Sequence, residues 1–145
     1  TISENMSQTL KKAGGIGLAG PQVGVVKRIF IIDTVPLKDD GVQPLEQVYL
    51  NPEILFVDSS ENEFKEGCLS IPGINEGVIR PEKITVRYRN ENFDVREEVL
   101  DGIVARIFQH EYDHLQGILF VDRINPLRRR ILRSKLHQIE KASRR

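Results

Sequence analysis

Gln109-His110-Glu111-Tyr112-Asp113-His114-Leu115 constrains this chain more than any other stretch. Two histidines four apart on a helix differ by about 40° of rotation and about 6 Å of rise, so both imidazoles reach one metal ion. Glu111, one residue after the first histidine, then sits beside any water held in the metal's open position. That combination offers a Lewis acid, a water of lowered pKa and a proton acceptor. H-E-x-x-H on a helix is therefore a signal of hydrolysis. It also dictates packing. Ile103, Ile107, His110 and His114 fall on one helical stripe, and Val104, Phe108, Glu111 and Leu115 on the adjacent one. The histidines must face inward, with the rest of the chain around them.

The 145 residues suffice for one domain with a real core. No stretch approaches the roughly 18 to 20 apolar residues that span a bilayer, so no membrane partner is expected. A single cysteine excludes an internal disulfide and suits a reducing compartment. The net charge of zero hides an asymmetry. Arg128, Arg129, Arg130, Arg133, Lys135, Lys141, Arg144 and Arg145 stand against one acid, Glu140, so a body near −7 carries a tail near +7. Such a tail is either a solvated helix face or a docking surface for phosphate-rich RNA.

Ile2, Met6 and Leu10 recur every four residues and predict an opening helix, stopped by Gly14-Gly15. A glycine-rich loop from Gly15 to Gly24 precedes Arg28-Ile29-Phe30-Ile31-Ile32, which reads as a buried strand. Residues 36 to 46 read as a surface loop, and Val48–Leu50 and Ile54–Val57 as two short strands around Asn51-Pro52. Lys83 to Arg89 and Phe93 to Val99 alternate on either side of Asn90-Glu91-Asn92, predicting a hairpin. Asp101 is the candidate N-cap of the histidine helix and Gly117 its stop. A last amphipathic helix starts near Pro126, with Ile131, Leu132, Leu136 and Ile139 as its inner face. The expected architecture is one α+β domain over residues 1–145: short antiparallel strands around a central metal-binding helix, with a C-terminal amphipathic helix.

Two ligands do not hold a metal firmly. Downstream of His114 the candidates for a third are Asp122, His137 and Glu140; upstream stands Cys68, in Glu66-Gly67-Cys68-Leu69-Ser70. A lone cysteine is usually a small buried hydrophobe. As a thiolate beside two imidazoles it would form a set suited to Zn²⁺, Fe²⁺, Co²⁺ or Ni²⁺. Gly15-Ile16-Gly17-Leu18-Ala19-Gly20-Pro21-Gln22 lacks the lysine and following helix of a phosphate loop. It offers close backbone approach to a ligand and one side-chain amide, Gln22, able to meet an oxyanion.

Gly15 to Gln22, Glu66 to Ser70 and Gln109 to Gly117 together resemble the peptide deformylases, whose GxGLAAxQ, EGCLS and QHExDHLxG motifs run in this order. The resemblance implies removal of the formyl group from the N-terminal formyl-methionine of nascent polypeptides, in a bacterial cytoplasm or an organelle. It implies one divalent metal on Cys68, His110 and His114, with Fe²⁺ the expected physiological ion and Zn²⁺, Ni²⁺ or Co²⁺ as substitutes. Glu111 matches the general base and acid, and Gln22 and the backbone N–H of Leu69 match the oxyanion donors. Gly17 matches a backbone contact to an extended peptide. Ile16, Gly67, Ile103 and Ile107 fall where the family lines its methionine pocket, and Arg80 is expected to brace Glu66. Partners would be formyl-methionyl peptides and, through the basic last helix, the ribosome, but not DNA. Gly20 departs from the family's second alanine. Family members also carry a few dozen residues before the first helix, including a strand, so the chain is expected to lack that segment. Two other readings stand beside this one: a metallopeptidase, in which Cys68 plays no part in metal binding, and a non-catalytic ribosome-associated metal protein.

Overall fold

The computed structural model describes residues 1–143; Arg144 and Arg145, part of the basic tail, lie outside the described residues. Helix α1 (Ile2–Ala13) opens on Thr1, whose hydroxyl accepts from the Glu4 N–H while Glu4 reaches back to the Thr1 backbone, a complete capping box. It ends at Gly14, whose φ of 73° few other residues adopt readily. Met6 and Leu10 are buried, whereas Ile2 remains 41% exposed at the start of the stripe.

Five antiparallel strands follow in the spatial order β1-β2-β3-β6-β7. They are β1 (Gly17–Ala19), β2 (Ile29–Asp33), β3 (Glu46–Val57), β6 (Lys83–Arg89) and β7 (Val95–Asp101). Strands β4 (Glu61–Cys68) and β5 (Ile71–Pro81) form a separate two-stranded sheet. Helix α2 (Gly102–Leu115) lies across the larger sheet, and α3 (Pro126–Ser143) closes the described chain.

Burial explains why β2 reads as a continuous apolar run. Phe30 and Ile32 point into the core under α2, with Tyr49, Ile84, Val86 and Phe108. Ile29 and Ile31 point the other way, onto Met6 and Leu10 of α1. A strand covered on both faces loses its alternation. Phe108 sits at the centre, edge-on to Phe30 at 4.9 Å and to Tyr49 at 5.1 Å between ring centroids. A third core joins Ile71, Ile74 and Val78 of β5 to Phe120, Val121 and Ile124, under Leu132, Leu136 and Ile139 of α3.

Several local expectations change. The glycine-rich segment is not all loop: it contains β1 and a 3₁₀ turn, Gly20–Val23, because Asp33 N–H reaches the Ile16 carbonyl and β1 pairs with β2. Residues 36 to 46 likewise include most of a 3₁₀ turn, Val35–Asp40. The two short strands around Asn51-Pro52 are one strand, β3, which absorbs the interruption as bulges, with Asn51 at φ 49°. Asp101 ends β7 and makes no side-chain cap on α2. Ile131 is 60% exposed, leaving Leu132, Leu136 and Ile139 to pack α3. Residue 131 is rotated about 100° from 132 around the helix, which carries it off that narrow face. No helix among the described residues is long and apolar enough to cross a membrane.

Phe108→Ala should cost about 3–5 kcal/mol, because it empties the aromatic centre between α2 and the sheet. Chemical denaturation checks this; an unchanged midpoint would mean that this contact does not hold the helix to the sheet.

Candidate metal centre

Cys68 ends β4 immediately before the Leu69-Ser70 turn, where it opposes Ile71 of β5. Its Sγ lies 3.3 Å from Nε2 of His114. One ligating atom from each of Cys68, His110 and His114 falls within 4.8 Å of the others, and no other such grouping occurs among the described residues. The downstream alternatives stand elsewhere. Asp122 caps the Leu119 N–H and pairs with Arg129, while His137 and Glu140 sit on exposed positions of α3.

Helix α2 and the β4–β5 hairpin belong to different parts of the fold, and Glu66 links them. Its carboxylate accepts from Arg80 Nε at 2.7 Å and Arg80 Nη2 at 2.9 Å, from Arg106 Nη1 at 2.7 Å, and lies 2.9 Å from His110 Nδ1. Burial pushes the Glu66 carboxyl up, but hydrogen bonds from His110, Arg80 and Arg106 overcome it and hold the group down at about 2. The arrangement fixes the His110 ring with Nδ1–H toward Glu66 and leaves Nε2 for a metal. Arg80 also donates to Asp113 at 2.8 Å, and Asp113 in turn takes a forked pair of bonds from Arg123 at 2.6 and 2.8 Å.

Arg80 therefore meets Glu66 as the sequence suggested. Arg106, Asp113 and Arg123 were given no role, although the first two carried signals. Arg106 is an isolated cation on the apolar stripe one turn before His110, and Asp113 lies inside the histidine motif itself. Arg123 carried no signal, because its partner is ten residues away across a turn.

The donor set fits a divalent cation by its own chemistry. Burial alone would raise the Cys68 thiol, yet hydrogen bonds with His110, His114 and the Ser70 backbone bring it down to about 5, which favours the thiolate form that ligates metals. A thiolate with two imidazoles is a mixed soft and borderline set. Glu111 is 3% exposed, and its Oε1 is buried without a hydrogen-bond partner among the described residues. Burial raises its carboxyl to about 7, with His110 and His114 opposing and the Cys68 and Glu66 charges reinforcing. A buried orphan oxygen beside three ligating atoms is what a site built around a cation and its water presents.

Gly17 is required by contact. A Cβ there would stand 2.5 Å from Glu111 Oε2 and 3.0 Å from Ile107 Cγ2. Gln22 is oriented at both ends: its Oε1 accepts from the Ala19 N–H at 2.8 Å, and its Nε2 donates to Ser70 Oγ at 3.1 Å and Cys68 Sγ at 3.3 Å. Ser70 thus belongs to the site although sequence reasoning assigned it nothing. Ile16, Gly17, Gly67, Ile103 and Ile107 all line one cavity of about 320 Å³. Gln22, Cys68, Leu69, His110 and Glu111 line the same cavity, whereas His114 does not.

A family model described as polypeptide deformylase matches residues 1–130. Peptide deformylase of Thermotoga petrophila is 44% identical, with 98% of this chain and 82% of that protein covered. The Flavobacterium johnsoniae enzyme is 43% identical, over 93% of this chain and 74% of its own length. Among solved structures, a Plasmodium falciparum peptide deformylase superposes with a TM-score of 0.89 at 33% identity, covering 99% of this chain and 82% of that one. The Legionella pneumophila peptide deformylase gives 0.81 at 40% identity, over 98% and 80%. The motifs, the Cys-His-His cluster and these likenesses agree: the chain belongs to the peptide deformylase family.

Proposed function

We propose that this chain hydrolyses the formyl group from N-terminal formyl-methionine of nascent polypeptides, with Cys68, His110 and His114 holding one divalent metal and Glu111 handling the proton. The observation that carries the assignment of roles is the buried Glu111 carboxylate, unpartnered at Oε1, beside a thiolate and two imidazoles. A bound divalent cation supplies a Lewis acid for the formyl carbonyl and lowers the pKa of water. The chain's own residues do the rest. Glu111, raised to about 7, accepts a proton from water at neutral pH and returns it to the leaving amine. Gln22 Nε2 and the Leu69 N–H donate to the developing oxyanion. For this, Gln22 must give up one of its present acceptors, Ser70 Oγ or Cys68 Sγ.

Strand β1 is an edge strand, paired on one side only with β2. Its free side, at Gly17, suits an extended peptide added as a further strand. Ile16, Gly67, Ile103 and Ile107 supply the pocket for the methionine side chain. The metallopeptidase reading needs Cys68 apart from the metal site, and the 3.3 Å approach of Sγ to His114 favours the deformylase reading over it. We read residues 1–145 as a single catalytic domain, Fe²⁺ as the working ion with Zn²⁺, Ni²⁺ and Co²⁺ as substitutes, and the bacterial cytoplasm as the setting.

Glu111→Ala should retain about one metal per chain while formate release from formyl-Met-Ala-Ser falls about 10²–10⁴-fold. A chelator should abolish release in the wild type, and anaerobic Fe²⁺ should restore it; wild-type rates in Glu111→Ala would sink the assignment.

Arg80→Ala leaves the Glu66 and Asp113 carboxylates buried without their shared cation. It should destabilise the fold by about 3–5 kcal/mol and lower metal retention on dialysis. Unaltered metal content would remove Arg80 from the support of the site.

Helix α3 is the proposed ribosome contact. Arg128 and Arg129 are engaged with Glu76 and Asp122, whereas Arg130, Arg133 and Lys141 make no ion pair among the described residues. Replacing the last three by Ala should reduce salt-sensitive co-sedimentation with ribosomes and leave turnover of short formyl peptides intact. Undiminished co-sedimentation would make α3 a plain solvated face.

A further inference from the structure

Strand β7 ends the five-stranded sheet and pairs on one side only, with β6. Its seven residues are exposed at every position but Leu100, and its register with β6 runs without a shift. Edge strands are commonly blunted by shortness, a lysine, a proline or a bulge. The other edge, β1, is only three residues long. β7 has none of these devices: Val95-Arg96-Glu97-Glu98-Val99-Leu100-Asp101 is regular and holds no lysine, proline or glycine. Its charges follow an order of their own.

The Asn90 N–H donates to the Asp94 carbonyl, in the same register as the β6–β7 pairing. Asp94, Arg96, Glu98 and Leu100 therefore turn their backbone groups to β6, and Val95, Glu97, Val99 and Asp101 turn theirs to the open side. A second β7 laid antiparallel along that side must set odd-numbered residues opposite odd-numbered ones, which puts the two-fold axis on a residue near the middle of the strand. An axis at Arg96 sets that cation against itself and Glu98 against the partner's Asp94. An axis at Glu98 sets that acid against itself and Val99 against the partner's Glu97. An axis at Glu97 matches instead: Arg96 falls opposite the partner's Glu98, twice over, and Val95 opposite the partner's Val99, twice over. The charged pairs then occupy non-hydrogen-bonded positions, where side chains lie closest. Arg96 makes no ion pair among the described residues, and Glu98 accepts only from the Tyr88 hydroxyl, at 2.8 Å on Oε1. Glu97 alone meets its own kind, and each copy has Arg87 across from it on β6.

The outer face agrees with this register. Residues directly opposite share a face, so Phe56, Thr85 and Val99 form one row across β3, β6 and β7. Phe56 is 72% exposed and Val99 63%. With the axis at Glu97 that apolar row runs on into the partner's Val95.

We propose that two copies of this chain associate through β7 about a two-fold axis at Glu97, joining two five-stranded sheets edge to edge. The interface is isologous, and β1, at the far end of the strand order, keeps its open side.

Sedimentation velocity of the full chain over about 1–100 μM should pass from one chain mass towards two; a single chain mass at about 100 μM overturns the proposal. Arg96→Glu and Glu98→Arg should each weaken association by about tenfold or more, because each creates two like-charged pairs across the axis, and the double exchange should restore it. Association unmoved by either reversal, or a double exchange no better than the single variants, overturns the pairing. The register is read separately by cross-linking, whatever the reversals do to folding. In Glu97→Cys the introduced thiols face each other with Cα atoms about 5.5 Å apart, whereas in Val95→Cys they stand about 14 Å apart. Mild oxidation should yield covalent dimers of Glu97→Cys, and neither of Val95→Cys nor of the wild type, whose one cysteine is Cys68. No cross-link in Glu97→Cys, or an equal one in Val95→Cys, overturns the axis at Glu97.

Discussion

The Glu66 carboxylate, buried between Arg80, Arg106 and His110, spans a seam between two parts of the fold that share no strand pairing. On one side is the hairpin that presents Cys68, on the other the helix that presents both histidines. Removing a carboxylate and two guanidiniums from water is costly, and only complete hydrogen bonding offsets it. Here all three nitrogens of Arg80 are paired: Nε and Nη2 hold Glu66, Nη1 turns to Asp113, and Arg123 closes Asp113 from outside. Such a joint is a poor source of net stability compared with an apolar core, but it is directional. It sets the ring orientation of His110 and the approach of the hairpin in one set of bonds, to within the tolerance that metal ligation demands.

The apolar layers have the complementary task. Phe108 and its aromatic neighbours fix α2 over the sheet, while Met6 and Leu10 fix the sheet from the opposite face. Glu111 is thereby held against the Gly17 backbone, too close for any side chain at position 17. The raised carboxyl of Glu111 follows from this placement, since burial is its largest cause. Packing therefore sets both the position and the basicity of one group, whose Oε1 is buried without a hydrogen-bond partner among the described residues.

What was legible in the sequence divides along physical lines. Elements that bury one regular face were readable: α1 from Met6 and Leu10, β6 from its alternation, and α2 from its two stripes. The return strand β7 begins at Val95 rather than Phe93, which stands in the turn at φ 64°, and β7 is exposed at nearly every position. The candidate metal helix was legible from the spacing of His110, Glu111 and His114, and Cys68 as a third ligand from the family resemblance. The β4–β5 hairpin was not read as one. Its first strand is exposed at most positions, and its second is broken by Pro72, Gly73 and Gly77, so neither shows a clean period. Strand β1 is too short for any period and exists only because β2 lies beside it. Asn51 hid the continuity of β3, since a residue at positive φ beside proline reads locally as a turn. Ile131 misled in the opposite sense: an isoleucine on an amphipathic helix looks internal until the narrowness of the α3 seam is known.

The brevity of β1 has an outcome for the breadth of chains such a site can serve. A three-residue edge extends only about 10 Å, room for about three backbone positions of anything laid along it. Beyond Ala19 the backbone turns into the 3₁₀ segment and offers no further rail. Past that length the edge has no further backbone partners for an extended chain, and main-chain bonds of this kind carry affinity rather than side-chain selectivity. A short edge of this kind therefore limits how tightly any chain is held without asking for a particular sequence beyond it.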